Sequence, residues 1–182
     1  MSRSSFFGVQ VAVASEPGDA IRPQLTEVVK NLRTATDWRR QRLAWQQAIP
    51  CLRAVSNRVQ LGSWDLLREG ADEAWREWTT GVEAMATWPE ADFGNGSLVL
   101  VTLVMLVVKD SNADRTLGDI CDLPERVWHR RATYLKLLLA PPLVNAAGVR
   151  SSALYVAPHP AHGGFSTSAL ADEGFDYLTA VE

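Results

Sequence analysis

An uninterrupted apolar run, LVLVTLVMLVV at Leu98–Val108, constrains the fold of this chain more than any other segment. As a helix it would reach about 17 Å, well short of the roughly 30 Å of hydrocarbon in a bilayer. It is rich in β-branched residues, and it shows no polar alternation. Because such a composition favours strands and an unbroken apolar run needs cover on both faces, the run predicts a buried strand in a helix-covered sheet, and we expect no transmembrane span.

Two more segments have the composition of strands. The first, Phe6–Ala14, ends at the turn signal SEPGD, and the second, SALYVA at 152–157, runs into prolines and glycines. Elsewhere apolar residues recur at helical spacing, which predicts a helical block over about 20–88 and a later helix over about 123–140. Gly62 and Ser63 are interpreted as a break and an N-cap within that block.

The order of these elements predicts an α+β fold. The intervals between the strands are too long for hairpins, so we expect a small mixed sheet that helices cover. The sheet should have about three strands, at 6–14, 98–108 and 152–157. At 182 residues, the chain 1–182 is expected to form a single α+β domain.

Composition argues against several functional classes. Hydrophobic residues make up 47% of the chain and charged residues 21%, which is typical of a folded protein. The formal net charge of −3 gives no electrostatic reason to expect nucleic acid. The two cysteines, Cys51 and Cys121, lie far apart and outside any Cys-x-x-Cys pair, so we expect reduced thiols and a cytoplasmic location. No phosphate-binding glycine loop or nucleophile elbow is present.

The segment LYVAPHPAHGGFST contains the most suggestive chemistry. His159 and His162 could share a metal ion, but Pro158 and Pro160 prevent a helix between them, and zinc needs a third and usually a fourth ligand. We therefore predict a loop that leaves a strand, with no metal and no cofactor. A small hydrolase or a metal-dependent enzyme that uses the His159/His162 loop remains the alternative.

Tryptophan is abundant, with seven residues, six of them before residue 90. Packing between helices and sheet is one interpretation, and an aromatic surface for a protein partner is the other. An interaction surface would use two arginines of the later helix together with the tryptophans before it. These candidate residues are Trp38, Trp45, Trp64, Trp75, Trp78, Arg130 and Arg131.

A basic stretch with interleaved aromatics, WRRQRLAWQQ at Trp38–Gln47, allows a further hypothesis. Arg39, Arg40 and Arg42 beside tryptophans could bind single-stranded nucleic acid. A solvated face of arginines beside packed tryptophans agrees better with the negative net charge. Nucleic-acid binding is therefore kept only as an alternative.

The C-terminal half follows a distinctive order of segments. SLVLVTLVMLVV contains Val101–Leu103 as a valine-threonine-leucine core, LGDI follows, and SALYVAPHPAHGGFSTSALADEGFDYL contains the rest. In that last segment Tyr155–Pro158 end a strand, Ser168–Glu173 would form a short helix, and Tyr177 and Leu178 form an aromatic ending. This order, with ADEAWREW before it, resembles an uncharacterised family of cyanobacterial and plastid proteins.

The resemblance implies that the histidine loop connects a strand to a short helix, and it brings no catalytic residues. The plant representative of that family is linked to photosynthetic acclimation under fluctuating light. Members usually carry a membrane anchor, which is not seen in this sequence, so a peripheral association with a membrane complex is the most that we expect of this chain.

Taken together, the sequence predicts a non-enzymatic interaction or adaptor domain, or a subunit of a larger assembly. Its partner would be another protein or a second copy of the chain, contacted through the tryptophan-rich helices. Arg130 and Arg131 would add a basic surface for an acidic partner.

Overall fold

The computed structural model describes residues 3–16, 18–85, 96–158, 163–171 and 174–182. The strands are β1 (Ser4–Ala14), β2 (Val59–Leu67), β3 (Leu98–Val108), β4 (Val149–Ala157) and β5 (Thr179–Ala180). The helices are α1 (Ile21–Thr34), α2 (Trp38–Ser56), α3 (Ala71–Met85), α4 (Asn112–Cys121), α5 (Arg131–Leu138) and α6 (Ala140–Leu143). Two short 3₁₀ helices lie at Glu125–Val127 and Ala146–Gly148.

The α+β class is confirmed, and the apolar run is an interior strand. β3 covers Leu98–Val108, the range predicted for it, and all of its residues except Val108 are buried. It lies between β1 and β4 in the sheet order β4-β3-β1-β2-β5. Its neighbours on both sides and helices on both faces explain why the run needs no polar alternation.

The expectation of a small mixed sheet with about three strands is wrong. The sheet has five strands, and each neighbouring pair is antiparallel. Two helices, α1 and α2, connect β1 to β2. Together they bring the chain back to the end of the sheet at which β1 finishes. The strand that follows therefore runs against the first one, although no hairpin joins them.

Strand β2 is the element that the predicted helical block conceals. Val59–Leu67 pairs with β1 along its whole length, from Val13↔Val59 to Phe6↔Leu67. In the sequence, this strand looks like a continuation of α2, because apolar residues keep a helical spacing from Leu52 through Val55 to Val59. Gly62 then has the character of a residue that ends a helix. Gly62 lies inside the strand because the ring of Tyr134 packs on it, and a Cβ atom at position 62 would lie 2.4 Å from Tyr134 Cε1.

The helix predicted over about 123–140 is present only in its second part, Arg131–Leu138. A 3₁₀ turn at Glu125–Val127 is followed by extended backbone at Arg130, where φ is −84° and ψ is 141°, and α5 begins only at Arg131. The sequence between β3 and this region contains α4, a helix that was not among the predicted elements. Ser111 caps that helix by accepting a hydrogen bond from the Asp114 N–H at 3.2 Å.

Helices cover both faces of the sheet. On one face, Phe7, Val9 and Val11 of β1 pack in the main core with α1, α2, α4 and α5. On the opposite face, Phe6 packs beneath α3, and Phe165 belongs to a smaller cluster with the C-terminal segment. The two faces are thus closed over β1 and β3, whereas β2 lies toward the side of the sheet where the cover is incomplete.

Candidate functional site

The histidine loop lies outside the described residues. His159 and His162 fall between the ranges 96–158 and 163–171, so their interpretation as a loop or as ligands stays a prediction. In the ranges that the structure describes, no group of three or more histidine, cysteine, aspartate or glutamate side chains could hold a metal ion.

The two tryptophans of α2 have different environments. Trp45 is only 3% exposed and donates from Nε1 to Ser152 Oγ at 3.1 Å, so it belongs to the core and offers nothing to a partner. Trp38 is 53% exposed at the start of the helix, and the Arg39 guanidinium lies 5.3 Å from its ring. The Asp37 carboxylate lies 3.5 Å from Arg40 Nε.

The tryptophans of α3 pack mainly within the protein. Trp75 and Trp78 are half-buried against the cluster around Phe6, and the ring of Trp78 lies 5.4 Å from that of Phe6. Gly8 makes room for this packing, because a Cβ atom there would lie 2.8 Å from Trp78. Trp75 and Trp78 therefore contribute largely to packing inside the protein.

Trp64 lies on β2 and forms an aromatic pair with a tryptophan that the sequence did not single out. Its ring packs edge-on against Trp128, with 5.8 Å between the centroids. Trp128 is 39% exposed and is anchored by a hydrogen bond from Nε1 to the Leu123 carbonyl at 2.8 Å. Nearby, Arg130 and Arg131 are exposed, and Arg131 donates its N–H to the Glu182 carbonyl at 2.8 Å.

One edge of β2 is open over most of its length. β5 pairs with β2 only at Leu61 and Gly62. From Ser63 to Leu67, no backbone group in the described part of the chain pairs with β2 on the side away from β1. Over these five residues, about 17 Å of strand, the peptide groups that point outward have no strand partner among the described residues.

The hydrogen bonds at the start of β2 show which groups point to this edge. The Gln60 carbonyl accepts from Val181 N at 2.9 Å, and the Gly62 carbonyl accepts from Thr179 Oγ1 at 3.1 Å. Because the direction of the peptide groups alternates along a strand, Trp64 and Leu66 direct their N–H and C=O to the same side. These groups have no strand partner, whereas Ser63 and Asp65 bond to β1.

A large cleft runs along the open edge. We call it the edge cleft; its volume is about 870 Å³, and it is bounded by the open part of β2, the C-terminal half of α4, and Trp128 with His129. A second cleft of about 350 Å³, the α3 cleft, lies on the opposite face between β2 and α3. The two clefts share Ser63, Asp65 and Tyr177, so space surrounds the open edge on both faces of the sheet.

Packing and hydrogen bonds connect the residues at the inner end of the edge cleft. Tyr134 is 1% exposed and packs on Gly62, and burial raises its pKa to about 12. Thr179 Oγ1, which donates to Gly62, lies 2.9 Å from His129 Nδ1. These contacts lie at Gly62 and Thr179, the last residues that pair before the open edge begins.

The charges in the edge cleft are of both signs, and its two arginines donate to acceptors or pair with a carboxylate within the described part of the chain. Arg68 Nε lies 3.7 Å from the buried carboxylate of Asp114, and Arg115 Nη1 donates to the Asp110 carbonyl at 2.8 Å. Asp65, Asp119 and Asp122 also line the cleft. They form no ion pair with any residue in the described ranges. Partial burial raises the pKa of the Asp65 carboxyl above its ordinary value.

Neither cysteine has the character of a nucleophile. Cys121 lines the edge cleft, but burial raises its pKa to about 12, although Lys136 opposes the shift. Burial likewise raises the pKa of Cys51 to about 11. Since the thiolate is the reactive form, these raised pKa values disfavour reaction of either thiol at neutral pH.

Comparison of the chain with family models, with curated proteins and with solved structures gives no match in any of the three. None of the helices in the described ranges has the length and apolar character needed to cross a membrane. What the chain does therefore has to be inferred from the geometry and chemistry of its own residues, and above all from the open edge of β2.

Proposed function

We propose that this chain is an interaction domain that binds an extended segment of a partner protein by strand addition at the open edge of β2. The observation that carries the proposal is the five-residue stretch Ser63–Leu67, whose outer edge has no strand partner among the described residues. Soluble proteins usually shield such an edge, because unpaired peptide groups invite pairing with another chain. Peptide recognition by strand addition is a recurring mode of binding.

The clefts beside the open edge have room for the side chains of a bound strand. A strand placed beside β2 would project its side chains alternately to the two faces of the sheet. The edge cleft lies on one face and the α3 cleft on the other, so space is available for both sets of side chains. Trp64 and Trp128 offer an aromatic wall on the first face.

Main-chain pairing alone gives weak binding. Trp64 and Leu66 offer two N–H and two C=O groups, and four hydrogen bonds contribute about 2–6 kcal/mol. A micromolar complex requires about 8 kcal/mol, so the remainder has to come from side chains in the two clefts. The partner is thus recognised by its side chains and aligned by its main chain.

The proposed interaction is of the class expected from the sequence, but the proposed contact surface is a different one. The helices that carry Trp45, Trp75 and Trp78 use these residues for packing, and the binding surface centres on Trp64 and Trp128. A partner protein remains the expected ligand.

The test begins with a displayed library of random linear twelve-residue peptides, selected on the full chain. Selected peptides are measured against two variants of one residue, Leu66→Pro and Leu66→Ala. Both variants lose the leucine side chain, but only proline removes the outward N–H, and proline is tolerated on an edge strand at such a position. Circular dichroism and Tm show whether each variant is folded.

The proposal predicts peptides that bind Leu66→Ala and lose most of their affinity for Leu66→Pro. N-methylation of alternate peptide residues, measured on the wild-type chain, should then abolish binding in one register and leave it intact in the other. Failure to select any peptide, or equal binding to the two variants, would overturn the proposal. Dimers of the chain that disappear in Leu66→Pro would replace it by edge-to-edge pairing of two copies.

A further inference from the structure

The side-chain chemistry around the open edge points to the kind of segment that fits. Building on the proposed function, we infer that the clefts accept an extended segment with two adjacent basic residues, each a lysine or an arginine. One of the two would enter the edge cleft and the other the α3 cleft.

On the first face, two carboxylates have no ion-pair partner among the described residues. Asp119 and Asp122, at the end of α4, line the edge cleft beside Trp64. The two arginines of the same cleft are held elsewhere: Arg68 by the Asp114 carboxylate, and Arg115 by the Asp110 carbonyl and the Asn112 side chain. A cation that enters the cleft therefore meets two carboxylates without an ion-pair partner in the described ranges, whereas the guanidinium groups of Arg68 and Arg115 are held in place by acceptors of the protein.

On the second face, carboxylates again line a cleft without an ion-pair partner among the described residues. Asp65 and Glu77 line the α3 cleft, and the lining of that cleft in the described ranges contains no lysine or arginine. Neither carboxylate forms an ion pair with a described residue. Trp78 lies beside them and offers an aromatic face on which a cation or its aliphatic stem can rest.

The strand geometry converts these two sets of carboxylates into a sequence preference. Asp65 pairs across the sheet with Gly8, which lies under Trp78 on the α3 face, whereas Trp64 pairs with Val9 in the main core on the α4 face. Consecutive side chains of a strand point to opposite faces. Two basic residues in direct succession therefore place one cation on each face, and two basic residues separated by one position would crowd the same cleft.

The partner segment should thus combine a dibasic step with apolar or aromatic neighbours that contact Trp64 and Trp128. A lysine or arginine near the Trp128 ring adds a cation–π contact. Charge complementarity of this kind raises the association rate and sets specificity more than it raises affinity, and it weakens with salt.

The experiment uses the peptide library selected on the full chain. Adjacent lysine or arginine pairs should be enriched among the peptides that distinguish Leu66→Ala from Leu66→Pro. A selected dibasic peptide is then resynthesised with glutamine at both basic positions, and separately with one neutral residue inserted between them. Each change should weaken binding about tenfold, which corresponds to roughly 1.4 kcal/mol.

Paired variants of the protein assign each cation to its face. Asp119→Asn with Asp122→Asn should weaken the dibasic peptide about five- to tenfold, as should Asp65→Asn with Glu77→Gln, and neither pair should affect the glutamine peptide. Asp72→Asn with Glu73→Gln changes the net charge equally on the exposed start of α3 and serves as the control.

The outcomes separate the two proposals. Selected peptides that need the Leu66 N–H but carry no basic pair, or that bind the neutralised variants as tightly as the wild type, would overturn the dibasic preference and leave strand addition in place. Peptides that bind Leu66→Pro and Leu66→Ala equally would remove strand addition and, with it, the preference that rests on it.

Discussion

Replacing Gly62 by alanine is expected to destabilise the protein through one identifiable contact. The added Cβ atom would lie 2.4 Å from Tyr134 Cε1 and 2.5 Å from Cζ. Non-bonded carbon atoms prefer a separation of about 3.5–4.0 Å, so the ring has to move by about 1 Å or more. The ring is 1% exposed and cannot move without displacing its neighbours.

The size of the effect follows from that enclosure. Overpacking of a buried site costs about 1–3 kcal/mol, and the depth of this overlap places Gly62→Ala at about 2–3 kcal/mol. For a protein of this length the Tm should fall by about 4–12 °C. Urea unfolding followed by tryptophan fluorescence measures the free energy of unfolding, and differential scanning calorimetry measures the Tm.

Gly81→Ala is the matched control. Gly81 lies inside α3, and a Cβ atom there meets nothing within 4 Å. The same chemical change should therefore stabilise the protein by about 0.5–1 kcal/mol, because alanine favours a helix over glycine. The two substitutions should have opposite signs because the new methyl group overlaps the Tyr134 ring at position 62, whereas at position 81 it meets open space on a helix.

A double-mutant cycle identifies the cause of the Gly62→Ala effect. Tyr134→Leu removes the ring atoms that the new methyl group would touch. In that background the cost of Gly62→Ala should fall by at least about 1 kcal/mol, whereas independent sites add within about 0.5 kcal/mol. An additive cycle, or a Gly62→Ala variant as stable as the wild type, would refute the packing of Tyr134 on β2.

Three further predictions concern the buried polar groups. Gln10 Nε2 donates to Thr102 Oγ1 at 2.7 Å in a buried site, and Thr102→Val removes this acceptor. The free energy of unfolding in urea should fall by about 1–3 kcal/mol, and a change below about 0.5 kcal/mol would contradict the hydrogen bond. Burial raises the pKa of Cys51 to about 11 and that of Cys121 to about 12, so both thiols of the folded protein should react with Ellman's reagent much more slowly at neutral pH than those of the unfolded chain. Equal rates in the folded and unfolded protein would contradict the raised pKa values. The same shifts predict that the thiols of the unfolded chain lose their protons first, near pH 9, so the stability that the protonated thiols contribute is complete below that pH and declines as pH rises toward 11–12. The free energy of unfolding in urea should therefore fall less steeply with alkaline pH in Cys51→Ala with Cys121→Ala than in the wild type. Equal slopes of that free energy against pH would count against the shifts.

The strands that could be predicted are those whose burial is visible in local composition. Leu98–Val108 was placed correctly because a β-branched run without alternation has no stable alternative in water. β2 was missed because its glycine depends on Tyr134, a residue far along the chain, and no local pattern shows that contact. In α4 a local signal was present: Ser111 is a cap, and Ala113, Leu117 and Ile120 recur at helical spacing.

The candidate site could be predicted only in part for a related reason. Helical spacing shows which residues share a face, but not which face is covered, so Trp45 was grouped with contact residues although it lies in the core. Trp64 was named and lines the edge cleft, while Trp128, Asp119 and Asp122 were not singled out. An open strand edge is a property of the assembled sheet, since it depends on where β5 stops pairing.

Amide hydrogen exchange of the full chain, resolved by residue with NMR, tests the open edge of β2 most directly. In the free chain, the N–H groups of Trp64 and Leu66 should exchange much faster than those of Ser63 and Asp65, which bond to β1. A selected peptide at saturating concentration should slow Trp64 and Leu66 and leave the other two unchanged. Equal protection of all four amides in the free chain, or no slowing of Trp64 and Leu66 with the peptide bound, would contradict strand addition at this edge.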